Sequence, residues 1–152
     1  HLSVLENVIY GPLMHGTPRP DAIRLAGEAL DMVRLSEMTQ RMPGQLSGGQ
    51  RKRIGLARAL ATSPKIMLYD EPTTGLDPTS TRMIDDLIIT FAREQKITSL
   101  VVTHDIQSAR RVSDRWMLLS QGVIAADGPV AEVSERNNLV KDFISGTWKE
   151  AV

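Results

Sequence analysis

Apolar positions along the chain fall into two regimes: helical spacing before residue 63, and short apolar runs alternating with helical stretches after it. Val4, Leu5 and Val8 start a helical pattern over residues 3–15 that Gly11-Pro12 is expected to break. Gly16-Thr17-Pro18-Arg19-Pro20 is a clear interruption, and Asp21 then opens a helix whose apolar face runs Ile23, Ala26, Leu30, Val33. Met42-Pro43-Gly44 closes that stretch. A further helix begins at Ser47, turns Ile54, Ala57 and Leu60 inward, and stops at Ser63-Pro64.

From there the pattern changes. Ile66-Met67-Leu68-Tyr69 is a short apolar run ending at Asp70-Glu71-Pro72, which predicts a buried strand. Asp77-Pro78 opens a helix with Ile84, Leu87, Ile88 and Phe91 on one face, Asp being a favoured cap and Pro suited to the first helical position. Ser99-Leu100-Val101-Val102-Thr103 is the next strand, ending at His104. Strand, helix and strand make a βαβ unit, which sets the two strands parallel through a crossover. A short helix over 106–112 follows. Trp116 to Leu119 and Val123 to Ala126 read as a hairpin turning at Gln121-Gly122, and Leu139, Val140, Phe143 and Ile144 give a last apolar helix face. The fold class is therefore α/β, with a helical subdomain over 1–63 and a parallel-sheet core over 64–152.

Composition narrows the function. The 152 residues carry 18 Lys plus Arg against 18 Asp plus Glu, which excludes a globally basic nucleic-acid binder. With no cysteine there is no disulfide framework, no Cys-ligated zinc, no iron–sulfur cluster and no thiol catalysis. No apolar run approaches the ~20 residues of a spanning helix and the start has no signal-peptide pattern, so the expectation is a soluble chain. It opens on His1-Leu2-Ser3-Val4-Leu5 with no Met, which reads as the middle of a domain, so an N-terminal part is expected to precede it.

Candidate chemistry gathers at the strand ends, where open parallel sheets hold their ligands. Asp70 and Glu71 end one strand and His104 ends the next. Taken singly, these are a turn cap, a solvated carboxylate and a strand-end histidine. Brought to one edge they can hold Mg²⁺, orient a water and sense a phosphate. Consecutive side chains diverge, so Asp70 can serve the metal while Glu71 faces the water. The second constellation is Leu46-Ser47-Gly48-Gly49-Gln50. Its glycines leave backbone N–H groups unshielded at a helix start that favours an anion, while Ser47-x-x-Gln50 also fits a capping box. Arg51, Lys52 and Arg53 follow at once, where each opposes the helix dipole by roughly 0.3–1 kcal/mol, and they are expected to form a positive funnel for that anion. Three cations without interleaved aromatics are too few for nucleic acid.

Leu46-Ser47-Gly48-Gly49-Gln50, Ile66-Met67-Leu68-Tyr69-Asp70-Glu71-Pro72, Gly75-Leu76-Asp77 and Val101-Val102-Thr103-His104-Asp105 follow one another along the chain. In that order they resemble the signature loop, Walker B strand, D-loop and switch histidine of the ATP-binding-cassette (ABC) ATPases, over essentially the whole chain. The resemblance implies a P-loop NTPase-like core with ATP and Mg²⁺ as cofactors. Asp70 would act on Mg²⁺ through water, Glu71 would polarise the attacking water as general base, and His104 would contact the γ-phosphate. Ser47, Gly48, Gly49 and Gln50 would serve ATP held by the opposite subunit, and Asp77 would lie across the dimer interface. Partners would be a second ATPase subunit, forming a homodimer, and membrane-spanning permease subunits. The location would be peripheral, on the cytoplasmic face of a membrane. No nucleic-acid partner is expected.

One element departs from that pattern. There is no G-x-x-x-x-G-K-[ST], and none of Lys52, Lys65, Lys96, Lys141 and Lys149 follows a glycine. The phosphate-cradling and glutamine loops would lie before His1, and the chain by itself is expected to hydrolyse no ATP. Within the family, Leu68-Tyr69-Asp70-Glu71-Pro72-Thr73, Thr98-Ser99-Leu100-Val101-Val102, Ser108-Ala109-Arg110-Arg111-Val112-Ser113-Asp114-Arg115 and Leu139-Val140-Lys141-Asp142-Phe143-Ile144 look most like subunits serving lipid transport with mammalian-cell-entry-type substrate-binding proteins. The expected function is thus an ATP-hydrolysing transporter subunit moving lipid or another hydrophobic cargo. The alternatives are a soluble cassette ATPase acting on ribosomes or DNA, and a catalytically inert cassette.

Overall fold

Three helices open the chain, α1 (Val4–Met14), α2 (Arg19–Met32) and α3 (Gly48–Leu60), with short 3-10 turns at Ser36–Met38 and Pro43–Gln45 between the last two. β1 (Ile66–Asp70), α4 (Pro78–Arg93) and β2 (Thr98–Val102) follow, then α5 (Ile106–Val112), the strands β3 (Arg115–Ser120) and β4 (Val123–Pro129), α6 (Val130–Arg136) and α7 (Asn138–Ser145). The computed structural model describes residues 1–147. They form two compact units, His1–Val102 and Thr103 onward. No described helix is long and apolar enough to cross a membrane.

In the first unit α1, α2 and α3 pack on one another, and α3 also packs on α4. Val4, Val8, Ala22, Ala26, Leu30 and Val33 are fully buried, joined by Ile54, Ala57 and Leu60 of α3. Two expectations change here. α1 does not break at Gly11-Pro12, because a proline in the last turn forfeits little. The carbonyls of Gly11 and Pro12 accept from the His15 amide at 3.1 Å each, and Leu13 accepts from Gly16 at 3.0 Å. Gly11 also allows a close approach, since a Cβ there would stand 2.8 Å from Thr62 Cγ2. The buried face of α2 is Ala22, Ala26, Ala29 and Leu30, while Ile23 is 42% exposed.

β1 and β2 pair in parallel through α4, with Ile66 opposite Thr98 and Asp70 opposite Val102. Ile84, Ile88 and Phe91 of α4 are buried as expected, but Asp85 is fully buried among them and Leu87 only half so. The strand expected to be buried is buried on one face alone. Met67 and Tyr69 are 4% exposed, whereas Ile66 is 62%, Leu68 74%, Leu100 44% and Val102 58% exposed. Parallel sheets ordinarily cover both faces, and the described residues cover one of these.

In the second unit β3 and β4 form an antiparallel hairpin. Gln121 (φ 49°) and Gly122 (φ 77°) supply the two positive φ values that a tight hairpin turn needs. Its core is Ala126, Val133 and Val140, with Trp116, Leu118 and Ile144 packed against it. α6 was not legible in the apolar pattern; it starts on Pro129 with no side-chain cap.

Candidate functional site

Ser47 caps α3 through a reciprocal pair: its hydroxyl accepts from the Gln50 amide at 3.2 Å and its own amide donates to Gln50 Oε1 at 2.8 Å. The helix start is thereby fixed while the hydroxyl keeps its proton to donate outward. Ser47 and Gly48 are exposed and Gly49 and Gln50 half-buried. This loop lies against the start of α4: a Cβ on Gly48 would meet Leu76 Cδ2 at 3.7 Å, and one on Gly49 would press on Ser80 Oγ at 3.0 Å and Ser80 Cβ at 3.2 Å. Asp77 caps α4, accepting from the amides of Thr79 and Ser80 at 3.0 Å each. The Ser80 hydroxyl first, and these amides after it, hold the Asp77 carboxyl below its ordinary value.

Arg51, Lys52 and Arg53, expected to form a positive funnel, are each tethered to a backbone carbonyl. Arg51 Nη1 donates to Leu46 O at 2.5 Å, Lys52 Nζ to Glu71 O at 2.9 Å, and Arg53 Nη1 to Val33 O at 2.8 Å. Burial, and secondarily the like charge of Arg34, push the Arg53 guanidinium down. Each cation thus gives a donor to the protein's own backbone and keeps its charge.

Asp70 ends β1, exposed and on the same side of the strand as Ile66 and Leu68. Glu71 leaves the strand in the left-handed region at φ 45°, which costs a non-glycine residue about 1–2 kcal/mol. Several bonds fix it there. Its amide donates to Val102 O at 2.9 Å, Lys52 Nζ and the Thr74 amide (3.4 Å) both reach its carbonyl, and Thr74 Oγ1 donates to Oε2 at 2.8 Å. Glu71 thus bonds to the end of the neighbouring strand, whose continuation in sequence is Thr103-His104. His104 belongs to the second unit, where it is exposed and precedes Asp105, the cap of α5.

Among the described residues no group of three His, Asp or Glu side chains gathers to hold a metal. One exposed carboxylate at a strand end is nevertheless the donor set Mg²⁺ uses when waters and phosphate oxygens fill its other positions, so Asp70 fits that ion. The exposed Ser47 hydroxyl at a helix start likewise fits a phosphate oxygen.

The sequence profile of the ABC transporter family matches residues 1–74. The phosphate import ATP-binding protein PstB of Aeropyrum pernix is 40% identical over 154 residues, an alignment covering 96% of this chain and 61% of that protein. The glutamine transport ATP-binding protein GlnQ of Escherichia coli is 43% identical over 129 residues, covering 84% of this chain and 53% of that one. A bacterial ABC transporter cassette solved as a dimer superposes with a TM-score of 0.73 at 36% identity, over 85% of this chain and 57% of its own. The chain is thus similar, over nearly its whole length, to part of the ATP-binding subunits of ABC transporters. It spans little more than half the length of these relatives.

Proposed function

We propose that this chain supplies the hydrolytic and signature elements of an ATP-hydrolysing ABC transporter subunit, with ATP sandwiched between two such subunits beneath membrane-spanning permeases. The observation that carries the reading is the Asp70–Glu71 pair at the carboxyl end of the parallel β1–β2 pair, with Glu71 anchored through its backbone. In this reading the helical part, 1–63, carries the surface met by the partner's nucleotide, and 64–152 is half of the ATPase core. A phosphate-cradling loop outside these 152 residues completes the site.

In this reading each residue has one task. Asp70 would hold Mg²⁺ through water, and that ion supplies charge neutralisation on the phosphate oxygens when bound. Glu71 accepts the proton of the attacking water. His104 donates to the γ-phosphate. Ser47 donates its hydroxyl proton, and Gly48, Gly49 and Gln50 present the helix start, to a phosphate held by the opposite subunit; Asp77 would lie across the dimer interface. Closure around ATP, hydrolysis and reopening would drive the permease from the cytoplasmic face of the membrane.

For the cargo, the reading of lipid or another hydrophobic molecule rests on the resemblance of the stretches around Tyr69, Leu100, Arg111 and Phe143 to lipid-transport subunits. The two relatives cited above are named for phosphate import and glutamine transport. Reconstituting the ATPase with its permease in liposomes and measuring which of lipid, phosphate or glutamine stimulates turnover separates these readings.

The test of the chemistry is Glu71→Gln in the complete ATPase. Binding of ATP is retained and kcat falls by about 10²-fold or more, the range of a lost general base. Hydrolysis at near the wild-type rate would remove Glu71 from the role.

A further inference from the structure

We propose that Lys52 is a positioning residue for Glu71, tying the helix that starts at the signature loop to the group that activates water. The inference rests on reading Glu71 as the base. Glu71 sits at φ 45°, a conformation that a side-chain-bearing residue leaves readily unless both of its peptide planes are held. The preceding plane is held by the bond from its amide to Val102 O at 2.9 Å. The following plane is held at the carbonyl, where Lys52 Nζ donates at 2.9 Å and the Thr74 amide only at 3.4 Å. The bond from the ammonium is both the shorter and the charge-assisted one. Together the two anchors fix φ and ψ of Glu71, and hence the direction in which its carboxylate leaves the backbone.

Lys52 lies on α3 about one and a half turns beyond Ser47, and it reaches across 19 residues of chain to make this bond. A displacement of the α3 start therefore passes directly to the Glu71 carbonyl through the Lys52 side chain. The same helix is assigned to the partner's nucleotide, so seating of that nucleotide aligns the base of its own subunit. Lys52 touches no reacting atom; it acts through the orientation of Glu71.

The test uses the full-length ATPase with Lys52→Met, Lys52→Arg, Glu71→Gln and the Lys52→Met/Glu71→Gln pair, measuring kcat, KM for MgATP and the melting temperature. Met keeps the apolar stem and removes the donor. Lys52→Met should lower kcat by about 10–100-fold, the effect of misplacing a reacting group by about 1 Å, with KM changed less than about twofold. Its melting temperature should stay within about 2 °C of wild type. Lys52→Arg, which keeps a donor, should restore most of the rate. In the Glu71→Gln background, Lys52→Met should cost nothing more. An unchanged kcat in Lys52→Met overturns the proposal, and so does a fall in kcat matched by a collapse in melting temperature without rescue by Arg. A further loss in the double variant also overturns it, because Lys52 would then act elsewhere. Wild-type turnover in Glu71→Gln alone fails the reading of Glu71 instead, and is seen separately.

Discussion

Two adjacent glycines of the signature loop face different surroundings, and replacing each by alanine separates local backbone preference from tertiary contact. A methyl at position 48 would sit 3.7 Å from Leu76 Cδ2, ordinary contact, while at position 49 it would sit 3.0 Å from Ser80 Oγ and 3.2 Å from Ser80 Cβ. Both changes replace glycine in the first turn of α3 and gain a similar ~0.5–1 kcal/mol of helix preference. Only Gly49→Ala adds overpacking, about 1–3 kcal/mol. Rotating the Ser80 hydroxyl away would not remove the Cβ contact and would give up its bond to Asp77. Gly48→Ala should therefore be slightly stabilised, and Gly49→Ala less stable than it by about 1–3 kcal/mol, a urea-midpoint gap of about 0.5–1.5 M. Far-UV circular dichroism is the suitable signal, since residues 1–102, the unit that contains α3, hold no tryptophan. Ser80→Gly combined with Gly49→Ala should recover at least about 0.5 kcal/mol beyond the sum of the single effects. Equal midpoints for the two alanine variants, or a cycle with no coupling, would refute the steric argument.

Phe91 of α4 is wholly buried, and Phe91→Ala should cost about 3–5 kcal/mol in urea denaturation of the first unit. Asp77 has a folded-state pKa below its unfolded one, so its contribution is complete above the ordinary carboxylate range and is lost as pH falls through the depressed value. Asp77→Asn keeps a capping oxygen but cannot titrate; its urea midpoint near neutral pH should match wild type, and its decline on acidification should be shallower. A decline as steep as wild type would show that other carboxylates carry the acid limb.

The strand–helix–strand unit, the caps at Ser47 and Asp77 and the hairpin turn at Gln121-Gly122 were legible because each is set by neighbours in sequence. What escaped was set by distant packing. α1 continues through Pro12 because its last carbonyls find donors beyond the helix and Gly11 lies against Thr62. Ile23 faces outward because small alanines line the buried side of α2. The cations after the signature loop did carry a signal: charges placed against a helix dipole need a partner. That partner was sought in an anion, whereas for Lys52 it is a carbonyl 19 residues away, which no local pattern reveals. The left-handed backbone of Glu71 was equally invisible, since glutamate is not a residue that announces such a turn.

That backbone has a consequence for how the sequence can drift. Position 71 has the conformation that glycine takes freely and asparagine or aspartate tolerates best. Selection for folding alone would favour those residues there, since each relieves strain that glutamate maintains. Folding and the proposed water activation therefore pull this position in opposite directions. On the proposed reading, a descendant freed from that role would gain stability by losing Glu71, and could keep every buried residue of the helices and strands while the proposed chemistry disappears.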